Sequence, residues 1–210
     1  MDRRDAHRSP YRRRVVALSS VCVFCGSSRG EGEQWAAAAR SLGALLAERG
    51  IDLVYGGGQV GLMGEVANAA LAGGGRVVGV IPAGLFTREV AHRGVTELHE
   101  VASMHERKAL MYDRSDAFIA LPGGFGTLDE LAEVVTWTQL GLHGKPTVLL
   151  DVGGFWDPLI ALLDGMAASG FLKPQNRDLL HVRDSPEAAL AYLAEADPRY
   201  VEKWITEDER

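Results

Sequence analysis

The chain has 210 residues, of which 47% are hydrophobic and 24% are charged, a composition that is ordinary for a globular protein. This length suits a single α/β domain with a substantial core. The formal net charge of −6 argues against a surface that coats nucleic acid, and no segment beyond the N-terminal region approaches the ~20 apolar residues that a membrane helix needs. We therefore expect neither a nucleic-acid partner nor a membrane partner.

The N-terminal region combines the basic run Arg3–Arg14 with the apolar stretch Val15–Cys25. Together the two could form a twin-arginine or lipoprotein signal. We favour a disordered tail over residues 1–14 and a first strand in the apolar stretch, because cleavage there would remove a core strand. The predicted organisation is this tail, one domain over 15–196 and a C-terminal tail over 197–210, in a cytoplasmic protein.

Short apolar runs alternate with helical patterns along the rest of the chain. The predicted strands are Val21–Cys25, Ile51–Tyr55, Val77–Ile81, Ala117–Leu121, Thr147–Leu150 and, more weakly, Leu179–Val182. The predicted helices are Gln34–Arg49, Gly61–Ala72, Met104–Arg114, Thr127–Leu140, Pro158–Ser169 and Pro186–Ala194. Apolar strands joined by crossover helices indicate a parallel sheet that is buried on both faces. The expected fold is a single α/β domain with a Rossmann-like, doubly wound parallel sheet.

Several helix ends carry capping signals. Gly50 follows the first predicted helix as a C-terminal glycine, and Ser185-Pro186 gives the last helix an N-cap with proline at its first position. Ser103 and Glu106 have the Ser-x-x-Glu spacing of a capping box.

Cys22 and Cys25 form a C-x-x-C pattern, which in a βαβ context can indicate a redox pair. Redox pairs lie at a helix N-terminus, whereas two strand residues three positions apart point to opposite faces of the sheet. We therefore expect two reduced, buried cysteines.

Three of the strand-to-helix turns are rich in glycine. They are Cys25-Gly26-Ser27-Ser28, Gly56-Gly57-Gly58-Gln59-Val60-Gly61-Leu62-Met63-Gly64 and Pro122-Gly123-Gly124-Phe125-Gly126-Thr127. Ligands of open parallel sheets bind beyond the carboxyl ends of the strands, and glycine lets backbone N–H groups approach a phosphate closely. Each turn could hold a phosphate, although glycine could also serve only to make a tight turn.

Two familiar nucleotide-binding patterns are disfavoured. Gly56, Gly58 and Gly61 formally match the dinucleotide fingerprint, but the strand Val77–Ile81 ends in Pro82 without the acidic residue that binds ribose. The lysine-containing phosphate loop of nucleoside triphosphatases is absent from the sequence. A nicotinamide-dependent oxidoreductase and a triphosphatase are therefore both disfavoured.

Charged side chains accompany the glycine turns in two places. Glu130 stands three residues after Thr127, so it is either the acidic member of a capping box or a functional carboxylate. Arg107 and Lys108 fall in the first turn of a predicted helix, where a cation opposes the helix dipole, and such violations favour function. An arginine and a carboxylate beside a bound ribose phosphate suit cleavage through an oxocarbenium-like transition state.

The segments Met104-His105-Glu106-Arg107-Lys108 and Pro122-Gly123-Gly124-Phe125-Gly126-Thr127-Leu128-Asp129-Glu130 resemble the paired signature of the LOG ("lonely guy") family. The resemblance extends from about residue 21 to residue 193. Members are cytokinin riboside 5′-monophosphate phosphoribohydrolases, many of which were once labelled lysine decarboxylases.

This resemblance implies hydrolysis of AMP or an N6-substituted AMP to the free base and ribose 5-phosphate, without a cofactor or a metal. It implies that Arg107 and Glu130 are catalytic. The implied phosphate ligands are Gly123, Gly124, Gly126 and Thr127; further substrate contacts are expected at Gly26, Ser27, Gly57, Met104 and Lys108. Since members are typically homodimers with helices packed near the active sites, we expect a homodimer.

Three other interpretations carry less support. Pyridoxal phosphate chemistry would need a suitable lysine, and neither Lys108 nor Lys145, Lys173 and Lys203 has a convincing Schiff-base setting. A nucleotide or cofactor carrier would use the glycine turns but would not need the Arg107 and Glu130 pair. The remaining candidates, His92, His99, His143 and His181, lack metal-ligand spacing and are expected in exposed loops or at sheet edges.

Overall fold

A computed structural model describes residues 18–84 and 91–197. Its strands are β1 (Ser20–Phe24), β2 (Asp52–Tyr55), β3 (Val77–Pro82), β4 (Glu97–Val101), β5 (Ala117–Ala120), β6 (Thr147–Leu150) and β7 (Leu180–Arg183). Its helices are α1 (Glu33–Glu48), α2 (Gly61–Ala72), α3 (Met104–Asp113), α4 (Phe125–Gln139), α5 (Asp157–Ala168), α6 (Pro174–Arg177) and α7 (Pro186–Glu195). The predicted tail over 1–14 and all but the first residue of the tail over 197–210 lie outside the described residues.

Within these ranges, seven strands form one parallel sheet in the order β4-β3-β2-β1-β5-β6-β7. The Rossmann-like, doubly wound fold is confirmed. Every predicted strand and helix is present, with ends that differ by at most two residues. The sequence prediction lacked β4, an edge strand in which charged residues replace the expected apolar run, and α6, which is a single turn.

The sheet separates two hydrophobic cores, and β1 contributes alternate residues to each. Val21, Val23 and Cys25 pack with α1, α2 and α7 on one face, whereas Cys22 and Phe24 pack with α3 and α4 on the other. Both cysteines are free and buried, as predicted, and they lie on opposite faces. Burial raises the pKa of both thiols, which keeps them protonated at neutral pH.

The capping signals are confirmed at three helices. Gly50 follows α1 with a positive φ of 65°, and Ser185 caps α7. The Ser103 hydroxyl accepts a hydrogen bond from the Glu106 N–H at 3.2 Å, and the Glu106 carboxylate accepts one from the N–H of Ala102. The start of α3, and with it the position of Arg107, is therefore fixed locally.

The predicted exposure is wrong for two histidines, His92 and His143, the second of which lies in the loop before β6 but is only partly exposed. His99 and His181 lie on the edge strands β4 and β7 as expected, but His92 is buried, with Nε2 2.9 Å from Asn68 Oδ1. Its Nδ1 accepts a hydrogen bond from the Gly94 N–H, so the ring fastens its own loop to α2.

No helix among the described residues is both long enough and apolar enough to cross a membrane.

Strand β1 lies between β2 and β5. Strands β2 to β4 are added to the sheet on one side of β1, and strands β5 to β7 are added on the other side. The connections that leave β1 and β5 therefore diverge to opposite faces and open a crevice at the carboxyl ends of these strands. All three glycine-rich turns leave the sheet at this crevice.

Candidate active site

A cavity of about 240 Å³ opens where the three glycine-rich turns meet the start of α4. Its walls are Val23, Cys25, Gly26, Ser27, Gly56, Met63, Met104, Arg107, Gly124, Phe125, Gly126, Thr127 and Glu130. The two charged side chains among them are Arg107 and Glu130.

Direct backbone hydrogen bonds hold the three turns together. The Gly26 N–H donates to the Pro122 carbonyl at 3.1 Å, and the Gly26 carbonyl accepts from the Leu62 N–H at 3.0 Å. A Cβ atom on Gly123 would lie 2.1 Å from Thr127 Oγ1 and 2.9 Å from the Gly26 nitrogen. Glycine at position 123 is thus required for the first and third turns to approach each other.

Arg107 projects from the first turn of α3 into the floor of the cavity. Its Nε donates to the Val80 carbonyl at 3.1 Å, and its Nη1 donates to Glu130 Oε1 at 2.7 Å. A Cβ on Gly56 would lie 1.9 Å from Arg107 Nη2, so the guanidinium occupies the space that any other side chain there would fill.

Glu130 belongs to the second turn of α4, and its carboxylate is held by Arg107. Arg107 is 8% exposed and Glu130 is 6% exposed, so the ion pair is almost wholly removed from bulk water. Burial raises the pKa of the Glu130 carboxyl, and the charge and hydrogen bond of Arg107 oppose that rise without cancelling it.

The capping alternative for Glu130 is wrong. Helix α4 begins at Phe125, two residues earlier than predicted, with Gly124 as its N-cap and no side chain bonded to the exposed N–H groups. Thr127 is therefore inside the helix, and Glu130 is too far along it to serve as the cap's carboxylate. Its contact with Arg107 accounts for its position instead.

The N-terminus of α4 presents unpaired backbone donors at the cavity. The Leu128 N–H is bonded to the Gly124 carbonyl at 3.1 Å, so the N–H groups of residues 125–127 precede the first helical hydrogen bond. Together with the positive end of the helix dipole, such donors suit a bound phosphate. A Cβ on Gly124 or Gly126 would meet nothing within 4 Å, so these glycines leave the cavity mouth open.

The other predicted site residues divide into two groups. Ser27 and Met104 lie in the cavity wall, together with Gly26 and Thr127. The lining does not include Gly57, Gly123 or Lys108. Their assignment as substrate contacts stays a prediction.

Gly57 and Lys108 have clear structural partners. Gly57 has a positive φ of 74° and packs against Val80 and Ile81 of β3. The Lys108 Nζ lies 3.0 Å from carboxylate oxygens of both Asp129 and Glu133.

Five wall residues are absent from the predicted set. They are Val23, Cys25, Gly56, Met63 and Phe125. Gly56 could have been found, since it is the first glycine after β2 and therefore stands where the backbone leaves the sheet. Val23, Cys25 and Met63 carry only a core-like apolar signal, which does not distinguish a cavity wall from a packed interior.

The cysteine in the cavity wall is not activated as a nucleophile. Cys25 faces the cavity, but burial raises the pKa of its thiol and leaves it protonated. Among the described residues, no group of three or more His, Cys, Asp or Glu side chains is arranged to hold a metal ion. The chemistry that these residues can themselves supply is that of an arginine, a carboxylate and a helix N-terminus.

The sequence is similar to a well-defined set of proteins. A family model described as "Possible lysine decarboxylase" matches residues 63–193. A probable cytokinin riboside 5′-monophosphate phosphoribohydrolase of Oryza sativa subsp. japonica is 54% identical over 173 residues, which covers 82% of this chain and 73% of that protein. A cytokinin riboside 5′-monophosphate phosphoribohydrolase of Arabidopsis thaliana is 48% identical over 180 residues, covering 86% of this chain and 84% of that protein.

Solved structures share the fold at lower identity. The molybdenum cofactor binding protein from the phototrophic bacterium Rippkaea orientalis superimposes with a TM-score of 0.64 at 23% identity, covering 84% of this chain and 95% of that chain. This likeness supports the fold alone. The family match includes both Arg107 and Glu130, and the plant relatives align over most of the chain. The chain therefore belongs to the LOG family of cytokinin riboside 5′-monophosphate phosphoribohydrolases.

Proposed function

We propose that this protein hydrolyses the N-glycosidic bond of an adenosine 5′-monophosphate, plain or N6-substituted, to give the free base and ribose 5-phosphate. The observation that carries the proposal is the buried Arg107–Glu130 pair, which faces the same cavity as the uncapped N-terminus of α4. The plant relatives, which are named for this class of reaction, support it.

The substrate phosphate binds at the start of α4 in the proposed arrangement. The N–H groups of residues 125–127 and the Thr127 side chain provide its donors, and the turn at Gly26 and Ser27 encloses it. The ribose then extends from this helix end toward Glu130, which lies one turn further along the same helix. Gly57, Met104 and Lys108 remain weaker candidates for contacts with the rest of the nucleotide.

Glu130 and Arg107 carry out the bond cleavage. As the C1′–N9 bond breaks, the bonding electrons leave with the purine, and positive charge develops on the ribose. The Glu130 carboxylate stabilises this charge and accepts a proton from the water that attacks C1′. Solvent supplies the proton that neutralises the departing purine, and Glu130 returns its own proton to solvent before the next turnover. Arg107 orients the carboxylate and favours its ionised form.

Two other functions fit the geometry less well. A carrier would not require a buried arginine–carboxylate pair beside its ligand, because the desolvation of two charges costs folding stability that ligand binding alone does not call for. For pyridoxal chemistry, Lys108 is engaged by two carboxylates, and Lys145 precedes β6 at the opposite end of the sheet from the cavity. Lys173 is exposed beside α6, and Lys203 lies outside the described residues.

We also propose that the protein acts as a homodimer that pairs through α5. No residue of this apolar helix is buried within the chain, and Leu162 and Phe171 near it are strongly exposed. A mainly apolar groove of about 340 Å³ between α4 and α5 continues this surface. A second copy would cover an apolar surface of this kind, which monomeric proteins rarely expose.

We place the protein in the cytoplasm, a location that two unpaired cysteines favour.

The experiment that tests the function is incubation of the purified protein with AMP and with N6-isopentenyl-AMP, followed by chromatography of the products. The proposal requires equimolar free base and ribose 5-phosphate, in EDTA and without added nicotinamide or pyridoxal cofactor. Binding of either nucleotide without any release of base would instead identify a carrier.

A further inference from the structure

Glu133 connects the two helices that hold the catalytic pair. It lies three residues beyond Glu130 on α4, and its Oε2 accepts hydrogen bonds from Lys108 Nζ at 3.0 Å and from the Tyr112 hydroxyl at 2.8 Å. Both donors belong to α3, the helix that carries Arg107. A single carboxylate oxygen therefore fixes two positions of α3 against α4.

The two donors need this acceptor because they are buried. Lys108 and Tyr112 both count among the buried residues of α3. A buried ammonium or hydroxyl without a hydrogen-bond partner destabilises the folded state, because it has lost its hydrogen bonds to water and gained none in return. Burial lowers the pKa of Lys108, but the hydrogen bonds to Glu133 and Asp129 outweigh this effect, so Lys108 stays charged.

The link extends to the backbone of the catalytic residue. The Tyr112 hydroxyl lies 3.4 Å from the Glu130 carbonyl oxygen as well as 2.8 Å from Glu133. Its ring packs edge-on against Trp137 of α4, with centroids 5.3 Å apart. Tyr112 is thereby held to α4 by its hydroxyl and its ring, next to the turn that contains Glu130.

We propose that Glu133 is a positioning residue of the hydrolase, which joins Lys108 and Tyr112 to α4 and so fixes the separation of Arg107 and Glu130. This inference rests on the proposed function. Glu133 is not among the residues that line the cavity. Displacements of about 1 Å at a reacting pair can cost up to about 100-fold in rate, so the orientation of two helices is sufficient to affect turnover.

Asp129 provides a matched comparison on the same helix. Its carboxylate lies at the same 3.0 Å from Lys108 Nζ, but its side chain is 59% exposed, against 24% for Glu133. It has no hydrogen bond to Tyr112 in the described structure. Because water can replace an exposed ion pair at little cost, the removal of the Asp129 charge should leave α3 and α4 in place.

The test compares Glu133→Gln with Asp129→Asn in the full-length protein, using N6-isopentenyl-AMP. For Glu133→Gln we expect kcat to fall by about 10-fold while KM changes less than about twofold, since the phosphate site on α4 is untouched. Asp129→Asn should retain both parameters. Equal kcat for the parent and Glu133→Gln, or equal losses in the two variants, would overturn the proposal.

Tyr112→Phe supplies a second test that does not depend on the stability of Glu133→Gln. It removes one hydroxyl and should also lower kcat more than it raises KM. If the two residues act through their shared hydrogen bond, the double variant should be no slower than the slower single variant. Fully multiplicative losses would contradict the link. Parent protein that releases no base would overturn the proposed function itself, whereas active parent protein with an unaffected Glu133→Gln would overturn this inference alone.

Discussion

The guanidinium of Arg107 lies directly over the α-carbon of Gly56, so closely that a Cβ at position 56 would fall 1.9 Å from Nη2. The absence of a side chain at Gly56 therefore leaves the space that the Arg107 guanidinium occupies in the cavity. Arg107 can reach both the Val80 carbonyl and Glu130 only because this position carries no side chain.

Replacement of Gly56 by alanine should displace the guanidinium from Glu130 and lower kcat by about 100-fold. Steady-state kinetics on Gly56→Ala and on the parent protein, with circular dichroism to check folding, measures the effect. A Gly56→Ala variant with parental kcat would show that Arg107 need not occupy its observed position.

The phosphate site can be tested by charge at Gly126. This residue lies in the first turn of α4, and a side chain there would enter open space. An aspartate in the first turn stabilises a helix by about 0.3–1 kcal/mol but would repel a bound phosphate. Gly126→Asp should therefore keep or raise the melting temperature while KM for AMP rises about 10-fold or more, with a smaller rise for Gly126→Ala. Unchanged KM in Gly126→Asp would place the phosphate elsewhere.

The raised pKa of Glu130 predicts the pH dependence of the reaction. If the carboxylate is the active form, kcat/KM should increase as pH rises through a pKa that lies above the ordinary glutamate value of 4.5. Arg107→Ala removes the cation that opposes the pKa shift, so the midpoint of this increase in kcat/KM should move to higher pH. A midpoint that is the same in the parent and the variant would show that the increase does not reflect the ionisation of Glu130.

The same shift has a consequence for stability. Between the unfolded and the folded pKa, the folded protein binds more protons at Glu130, so the free energy of unfolding decreases as pH rises through that window. Arg107→Ala should raise the folded pKa of Glu130 further and so widen this pH range. At neutral pH the variant should also be less stable by roughly 3 kcal/mol, because the buried Glu130 carboxylate loses its partner. Urea unfolding at several pH values measures this difference. From its place at a helix N-terminus alone, Arg107 would be expected to destabilise the helix, and only its burial with Glu130 reverses that expectation.

The sequence predicts the sheet and most of the site because both depend on local signals. Continuous apolar strands and glycine turns identify the crevice, and Arg107 stands out as a cation at the wrong end of a helix. The start of α4 at Phe125 could not be predicted, because a helix without a side-chain cap carries no local signal at its first residue. The hydrogen bond between Tyr112 and Glu133 could not be predicted from the sequence either, since it depends on the packing of two helices that are separate in the sequence.

The proposed dimer predicts the effect of a charge on α5. Leu162 is exposed on this helix in the single chain, so Leu162→Glu should fold normally but introduce a charge that a dimer interface would have to desolvate. Light scattering should report a dimer for the parent and a monomer for the variant. If both proteins are monomers, or if both are dimers, the pairing through α5 is wrong.

Catalysis by Glu130 is the central claim, and the turnover of Glu130→Gln tests it most directly. Glutamine keeps the size of the side chain and an oxygen that can accept the Arg107 hydrogen bond, but it supplies neither a negative charge nor a base. We expect the variant to fold and to bind AMP, as measured by thermal melting and calorimetry, while the release of free base falls by about 100-fold or more. Near-parental turnover in a folded Glu130→Gln protein would contradict the mechanism.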